Sequence, residues 1–191
     1  MSSMTSSRLT RRGFTLAALA ACGAAAACNN GIGSTGAATI DARVAATLDL
    51  MFRDYPNTRQ LADASRGMLV MPLVTEASLW VGGGYGRGAL LIDNITVDYY
   101  SQAKASAGFQ IGAKQYAHVL FFMTDDALAN FRRSAGWVAG ADIGYVVSDR
   151  AAQAAATTHT VNQPILAAVF GQAGLFAGAS LEGAKYTRII P

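Results

Sequence analysis

Glycine recurs inside segments that otherwise have the composition of β-strands, and this feature constrains the fold of the chain more than any other. The recurrent glycines are Gly83, Gly86 and Gly88, then Gly108 and Gly112, and finally Gly174 and Gly178. Glycine within a strand occurs where a sheet bends sharply or where another backbone approaches closely. The strand segments are short and apolar, and residues 116–123 form the strongest of them. The pattern predicts a strongly curved antiparallel sheet or a partly closed barrel.

Helical periodicity precedes this strand-rich part of the chain. Apolar residues at helical spacing predict a helix that begins near Thr39 and ends before Pro56. Shorter helices are predicted over residues 58–65 and 127–133, the latter capped by Thr124. Because the helices do not alternate regularly with the strands, the predicted fold class is α+β, with N-terminal helices packed on the sheet.

No motif for catalysis or for a cofactor stands out. The glycine-rich run over residues 82–88 lacks the Lys-Ser/Thr ending and the following helix of a phosphate-binding loop, so we interpret it as sheet curvature. The two histidines, His118 and His159, have no metal-site spacing, and we predict that His118 is a half-buried structural residue. Ser180 lacks the closing glycine of a nucleophile elbow. We therefore expect no enzyme activity, no cofactor and no metal.

The chain begins with the pattern of a secretory signal. An arginine-containing start precedes an apolar run over residues 14–21, which is too short to span a bilayer as a helix. We predict that residues 1–21 are a signal peptide. Residues 10–16 resemble the twin-arginine export motif, but basic starts of this kind also occur in signals for export of unfolded chains. Both routes lead out of the cytoplasm.

The four residues Leu-Ala-Ala-Cys that end at Cys22 resemble the lipobox of bacterial lipoproteins. The resemblance implies cleavage before Cys22 and attachment of lipid, including palmitate, to its thiol. Two alternatives remain open: acylation of Cys28, and an ordinary signal that is cleaved within residues 24–27. Gly23 stands where an aspartate would resemble an inner-membrane retention signal, so we expect an outer-membrane lipoprotein that faces the periplasm.

Composition divides the rest of the chain into a tether and one domain. Residues 22–38 contain little to bury and are predicted to be a flexible tether, whereas residues 39–191 are long enough to form a single core. The net charge of +3 comes from 15 Lys and Arg against 12 Asp and Glu, and three of these arginines lie in the predicted signal peptide. The remaining chain is formally neutral, which argues against a nucleic-acid partner.

The carboxyl-terminal run Gly-Leu-Phe-Ala-Gly-Ala-Ser-Leu-Glu-Gly, over residues 174–183, is similar to the closing signature of SYLF domains. Residues 67–72, 82–88 and 108–112 agree with that family in order and spacing. The resemblance covers nearly the whole predicted domain. The chain departs from the family over residues 96–102, where Val-Asp-Tyr-Tyr stands in place of the usual Trp-Ser.

The resemblance implies a lipid-binding module and a non-enzymatic protein whose curved sheet holds phospholipid or another amphiphile. Arg87, Lys104 and Lys114 flank the glycine-rich strands and are the candidate headgroup contacts. The alternative is a structural or assembly lipoprotein that docks an envelope protein. Certain fungal members of the family bind actin, which we do not expect of a bacterial envelope protein.

Overall fold

The structure, a computed structural model, describes residues 34–140, 143–146, 163–171 and 181–191. Within this part, nothing is described of the side chains of residues 78–81 and 106–114. The predicted signal peptide, the predicted lipid attachment at Cys22 and most of the closing family signature lie outside the described residues. None of the described helices is long and apolar enough to cross a membrane.

Three helices occur in the described part of the chain: α1 (Gly36–Asp54), α2 (Thr58–Ala64) and α3 (Asp125–Arg133). Helix α1 begins three residues earlier than predicted, because the backbone is already helical at Gly36, whose N–H donates to the Ser34 hydroxyl at 3.1 Å. Helix α3 has the predicted cap, in which the Thr124 hydroxyl accepts from the Ala127 N–H at 3.2 Å.

The strands that the structure describes are β1 (Gly67–Ile92), β2 (Ile95–Phe122), β3 (Trp137–Val138), β4 (Ile143–Val146), β5 (Ile165–Phe170) and β6 (Lys185–Ile189). They form one sheet in the order β3-β6-β2-β5-β4, with β1 paired to β2. The sheet curls into a half-barrel, which confirms the predicted α+β fold. One pair departs from the antiparallel expectation, since β4 and β5 are parallel. Strand β6 was not anticipated.

Strands β1 and β2 form a single long hairpin rather than several short strands joined by glycine turns. The turn between them is Asp93-Asn94, and both residues have positive φ, 52° and 62°, as in the two-residue turns that favour hairpins. The predicted breaks at glycine are absent from this hairpin because its register continues through Gly82, Gly83 and Gly84. Glycine bends the ladder here without ending it.

Two glycines of β1 lie where another part of the same strand approaches closely. A Cβ atom on Gly88 would overlap the carbonyl oxygen of Val70, and one on Gly86 would lie 2.8 Å from the carbonyl oxygen of Leu73. The second half of β1 therefore returns against the first half with backbone in contact. A side chain at Gly88 would force the two halves apart, which supports the interpretation of these glycines as structural.

Two hydrophobic clusters lie on opposite sides of the sheet. On the helix face, α1 packs against alternate residues of the central strands. The strand residues of the helix face are Met68, Val70, Ala89, Leu91, Ala117, Val119, Phe121, Leu166, Ala168 and Phe170. The aromatic face carries the other residues of the same strands and packs against α3 through Leu128 and Phe131. The large side chains of the aromatic face include Tyr100, Tyr116, Phe122 and Tyr186.

Candidate functional site

A groove of about 190 Å³ lies between the first turns of α1 and strand β1. We call it the arginine groove. Its lining residues are Thr39, Ile40, Arg43, Pro72, Leu73, Thr75, Tyr85, Gly86 and Arg87. Two arginines and three hydroxyl-bearing residues therefore line one small space, and one of the latter, Tyr85, is 56% exposed. Guanidinium groups recognise phosphate and carboxylate oxygens through paired N–H donors, so the groove suits an anionic group.

The fold brings the two arginines together from distant parts of the chain. Arg43 follows Ile40 on α1, and burial of Ile40 on the helix face sets the first turns of the helix against β1. Arg87 lies in the second half of β1, next to Gly86, which allows the close approach of the first half. Arg43 is not among the headgroup contacts predicted from the sequence, because no local pattern links a helix residue to a strand 44 positions later.

Two of the three predicted headgroup residues, Arg87 and Lys104, do not come together in the structure. Arg87 lies opposite Ser101 and Lys104 lies opposite Gly84 in the same uninterrupted ladder. The two positions are three residues apart along the hairpin, so their side chains project from opposite faces of the sheet. Lys114 belongs to the segment whose side chains are not described. Arg87 is therefore the predicted residue that the structure places in a groove.

Helix α1 is held in place beside the groove by one carboxylate. Asp41 accepts hydrogen bonds from the hydroxyl of Thr96 at 3.0 Å and from that of Tyr99 at 2.8 Å. Burial, followed by the bond to Asp41, raises the pKa of Tyr99 to about 12. These residues belong to the segment where the sequence departs from the SYLF pattern. In this chain the segment positions α1 and does not line the arginine groove.

The aromatic face contains a cluster of buried polar side chains. The Tyr116 hydroxyl donates to a Glu76 carboxylate oxygen at 2.6 Å, and the Tyr186 hydroxyl lies 2.9 Å from Nε2 of His118. Burial raises the pKa of Tyr116 and of Tyr186, and burial lowers the pKa of His118 to about 3. At neutral pH the imidazole and both phenols are therefore uncharged.

Gln102 lies within this cluster, close to the Tyr116 hydroxyl, and is fully buried. Nδ1 of His118 has no hydrogen-bond partner among the described residues. A buried polar atom without a partner costs about 1–3 kcal/mol, so we expect ordered water to complete this network. The polar cluster supports the fold and presents no charged group for an anion.

His118 differs from its predicted environment, because it is wholly buried rather than half-buried. Around His118, strand β2 lies between β1 and β5, and Tyr116 of β2 and Tyr186 of β6 pack against the imidazole. In the part of the chain that the structure describes, no group of three or more His, Cys, Asp or Glu side chains could hold a metal ion. The second histidine, His159, lies outside that part.

A second groove, of about 330 Å³, lies between α3 and strand β3. Its lining residues are Thr124, Asp126, Ala127, Asn130, Trp137, Val138, Gly140, Ile143, Pro164 and Ile165. Asp126 is the charged residue of this lining, and no basic residue contributes to it. A phosphate would be repelled there, so of these two grooves the arginine groove is the one suited to an anion.

Comparison with known proteins agrees with the resemblance seen in the sequence. A family model described as "Ysc84: Las17-binding protein actin regulator" matches residues 103–188. Residues 103–188 are thus similar to the Ysc84 family, also called SYLF. The family comprises lipid-binding and actin-regulating domains. No curated protein matches the chain.

Proposed function

We propose that this protein is a non-enzymatic, lipid-anchored envelope protein whose SYLF domain binds phospholipid through an anionic headgroup. The observation that carries the proposal is the arginine groove, in which Arg43 and Arg87 line the same small space. The lipid-binding character of the family supports the class of ligand. The arginine groove has a volume of about 190 Å³, which suits a headgroup phosphate more than a pair of acyl chains.

Charge distribution supports a local site rather than general attraction to anionic surfaces. After removal of the predicted signal peptide, Lys and Arg equal Asp and Glu in number, so the domain has no net field that would collect anions. Selectivity must then come from the placement of two guanidinium groups, each able to donate in pairs to phosphate oxygens. The aromatic face is filled by its own side chains, and we therefore place the lipid on the α1 side of the sheet.

The proposed location is the outer membrane, with the domain in the periplasm and the lipid anchor on Cys22. The sequence Leu-Ala-Ala-Cys supports this anchor. Cys22→Ser should prevent incorporation of labelled palmitate and release the protein from membrane fractions. Continued labelling of that variant would assign the lipid to Cys28, and absence of labelling in the unmodified protein would favour the ordinary signal peptide.

The headgroup site can be tested with short-chain phospholipids that stay monomeric, since these report on the groove without the influence of the anchor. We expect the full chain to bind dihexanoyl phosphatidylglycerol more tightly than dihexanoyl phosphatidylcholine in calorimetric titration. Each of Arg43→Gln and Arg87→Gln should weaken binding of the anionic lipid by about tenfold or more, the loss typical of one charged hydrogen bond.

Arg53→Gln is the matched control, because Arg53 lies on the same helix, is largely exposed and pairs with Asp54 instead of lining the groove. It should leave the affinity unchanged. The site would be contradicted if both lipids bound equally well and if binding persisted after both groove arginines were replaced. No binding of either lipid would contradict the proposal and favour the alternative, a lipoprotein that docks an envelope protein.

A further inference from the structure

Exposed aliphatic side chains gather where strands β1, β2 and β6 reach the same end of the sheet. Strand β1 ends at the Asp93-Asn94 turn and β2 starts directly after it, while the register between Tyr99 and Ile189 brings the end of β6 alongside. We call this the end surface and define it by Ile95, Val97 and Ile190. These side chains are 68%, 40% and 68% exposed. Three exposed aliphatic side chains therefore lie at the same end of the sheet.

The tether joins the domain at this same end. The Ser34 hydroxyl, immediately before α1, donates to the carbonyl oxygen of Pro191 at 2.8 Å. Pro191 follows Ile190, and extending the β2–β6 register by two residues places it opposite Val97. The chain that carries the predicted lipid anchor therefore enters the domain next to the end surface.

The tether is short enough to hold the end surface close to the membrane. Eleven residues separate Cys22 from Ser34, and they are rich in Gly, Ala and Asn. Even fully extended, a chain of this length reaches only about 40 Å. Confinement of this kind produces a high effective concentration of the domain at the bilayer, so weak apolar contacts suffice for docking.

We propose that the end surface docks on the bilayer, with Ile95, Val97 and Ile190 inserted at the level of the lipid headgroups. The charges beside these residues suit an interfacial position. Asp98 is only 16% exposed in its side chain and pairs with Arg132 and Arg188, each at 3.4 Å, while exposed Asp93 remains in the water layer. A polar turn flanked by aliphatic residues favours shallow insertion over deep insertion.

This inference rests on the lipid anchor of the proposed function but not on the headgroup groove. The arginine groove binds an individual lipid molecule, whereas the end surface sets the orientation of the whole domain on the membrane. Loss of Arg43 or Arg87 should therefore leave the docking unchanged. Likewise, loss of the exposed isoleucines should leave the binding of monomeric short-chain lipids unchanged.

The test measures the environment of single positions in the full, exported chain on vesicles. Ile95→Cys and Ile190→Cys, each combined with Cys28→Ser, are labelled with an environment-sensitive fluorophore and reconstituted into vesicles of phosphatidylethanolamine with a minority of phosphatidylglycerol. We expect emission at shorter wavelength, quenching by nitroxide carried on lipid, and protection from iodide. Placing Ile95→Asp in the chain labelled at position 190 should abolish the shift.

Val138→Cys is the matched control, because Val138 is an aliphatic residue 53% exposed at a different place in the same sheet. It pairs with Lys185, four residues and about 13 Å along β6 from Ile189. The label there should stay accessible to iodide. Chains carrying only Cys28→Ser measure any labelling of Cys22 and set the background.

Flotation of the vesicles separates the two ways in which the inference can fail. A chain that does not float contradicts the anchor and, with it, the docking. A chain that floats while positions 95 and 190 remain as accessible to iodide as position 138 contradicts the docking alone. A spectral shift that depends on protein concentration and not on vesicles would show instead that the end surface contacts a second copy of the chain.

Discussion

The aromatic face and the arginine groove belong to the same sheet but differ in where their polar side chains lie. On the aromatic face, Glu76 and His118 are buried and hydrogen-bonded to tyrosine hydroxyls. In the arginine groove, Arg43 and Arg87 stand at the surface beside a small open space. Buried polar groups support the packing of the fold, whereas groups that border an open groove can meet a ligand. Substitutions on the aromatic face should therefore change stability, and substitutions in the arginine groove should change ligand binding.

The largest effect is expected from a change that removes the curvature on which both sides depend. Gly88→Val would place a side chain against the Val70 carbonyl oxygen, and the two halves of β1 would have to separate. We expect at least ~3 kcal/mol of destabilisation or failure to fold, measured by thermal unfolding. Gly83→Ala is the control, because its Cβ would lie 3.5 Å from the Lys104 carbonyl oxygen, which is ordinary van der Waals contact. Equal stability of both variants would contradict the close approach.

The next largest effect is a pH dependence of the free energy of unfolding, which comes from a histidine on the aromatic face. The pKa of His118 is about 3 in the folded protein, against an ordinary value of 6.5, so between these values the unfolded chain binds more protons. The stabilising contribution of the neutral imidazole is complete above pH 6.5 and is lost as the pH falls toward 3. Within this window the free energy of unfolding should fall by up to about 1.4 kcal/mol per pH unit.

This pH dependence can be assigned by comparing two histidine variants in denaturant titrations at several pH values. His118→Gln should make the profile shallower than that of the unmodified protein, since glutamine does not titrate. His159→Gln should leave the slope unchanged. The assignment to the buried imidazole is wrong if His159→Gln flattens the profile and His118→Gln does not.

A smaller loss of stability should follow removal of one hydroxyl from the buried cluster. Tyr186→Phe keeps the ring packed but leaves Nε2 of His118 without its partner, so we expect destabilisation by about 1–3 kcal/mol. Binding of short-chain phosphatidylglycerol at a temperature where the variant is folded should be unchanged. Tyr85→Phe serves as the control for stability, because Tyr85 is largely exposed. A loss of lipid affinity in Tyr186→Phe would place the ligand on the aromatic face and contradict the comparison.

The smallest effect on stability is expected at the arginine groove itself. Arg43 is an exposed residue on α1, and Arg43→Gln should change the free energy of unfolding by less than about 0.5 kcal/mol while it weakens binding of the anionic lipid. Denaturant titration and calorimetry on the same preparation measure both quantities. A destabilisation comparable to that of Tyr186→Phe would mean that Arg43 contributes to folding stability and not mainly to ligand binding.

Local signals in the sequence predicted the helices well and the strands less well. The cap at Thr124 and the two short helices appear close to where they were expected. Strand ends were harder to predict, because glycine normally weakens a strand, and the continuous register of β1 on β2 through Gly82 to Gly84 results from pairing along the whole hairpin. Strand β6 was missed because its strand structure depends on pairing with the distant strands β2 and β3.

The candidate site could be predicted only in part. Arg87 was predicted to contact a headgroup because it flanks the glycine-rich strands, and the structure places it in a groove. Arg43 could not be associated with it, since the contact depends on how α1 crosses the sheet, and Asp41 controls that crossing through Thr96 and Tyr99. Arg87 and Lys104 lie on opposite faces because of the register between β1 and β2. That register cannot be deduced from the closeness of both residues to glycine in the sequence.

The sequence by itself determined the fold class, the resemblance to the SYLF family and the need for glycine in the hairpin, because periodicity, capping and glycine placement are properties of neighbouring residues. It also carries the prediction of a lipid anchor at Cys22. Only the tertiary structure decided which arginines share a groove, that His118 is neutral and fully buried, and that Pro191 lies beside Ser34. Each of these facts depends on contacts between distant segments, whose geometry is set by the packing of the whole sheet.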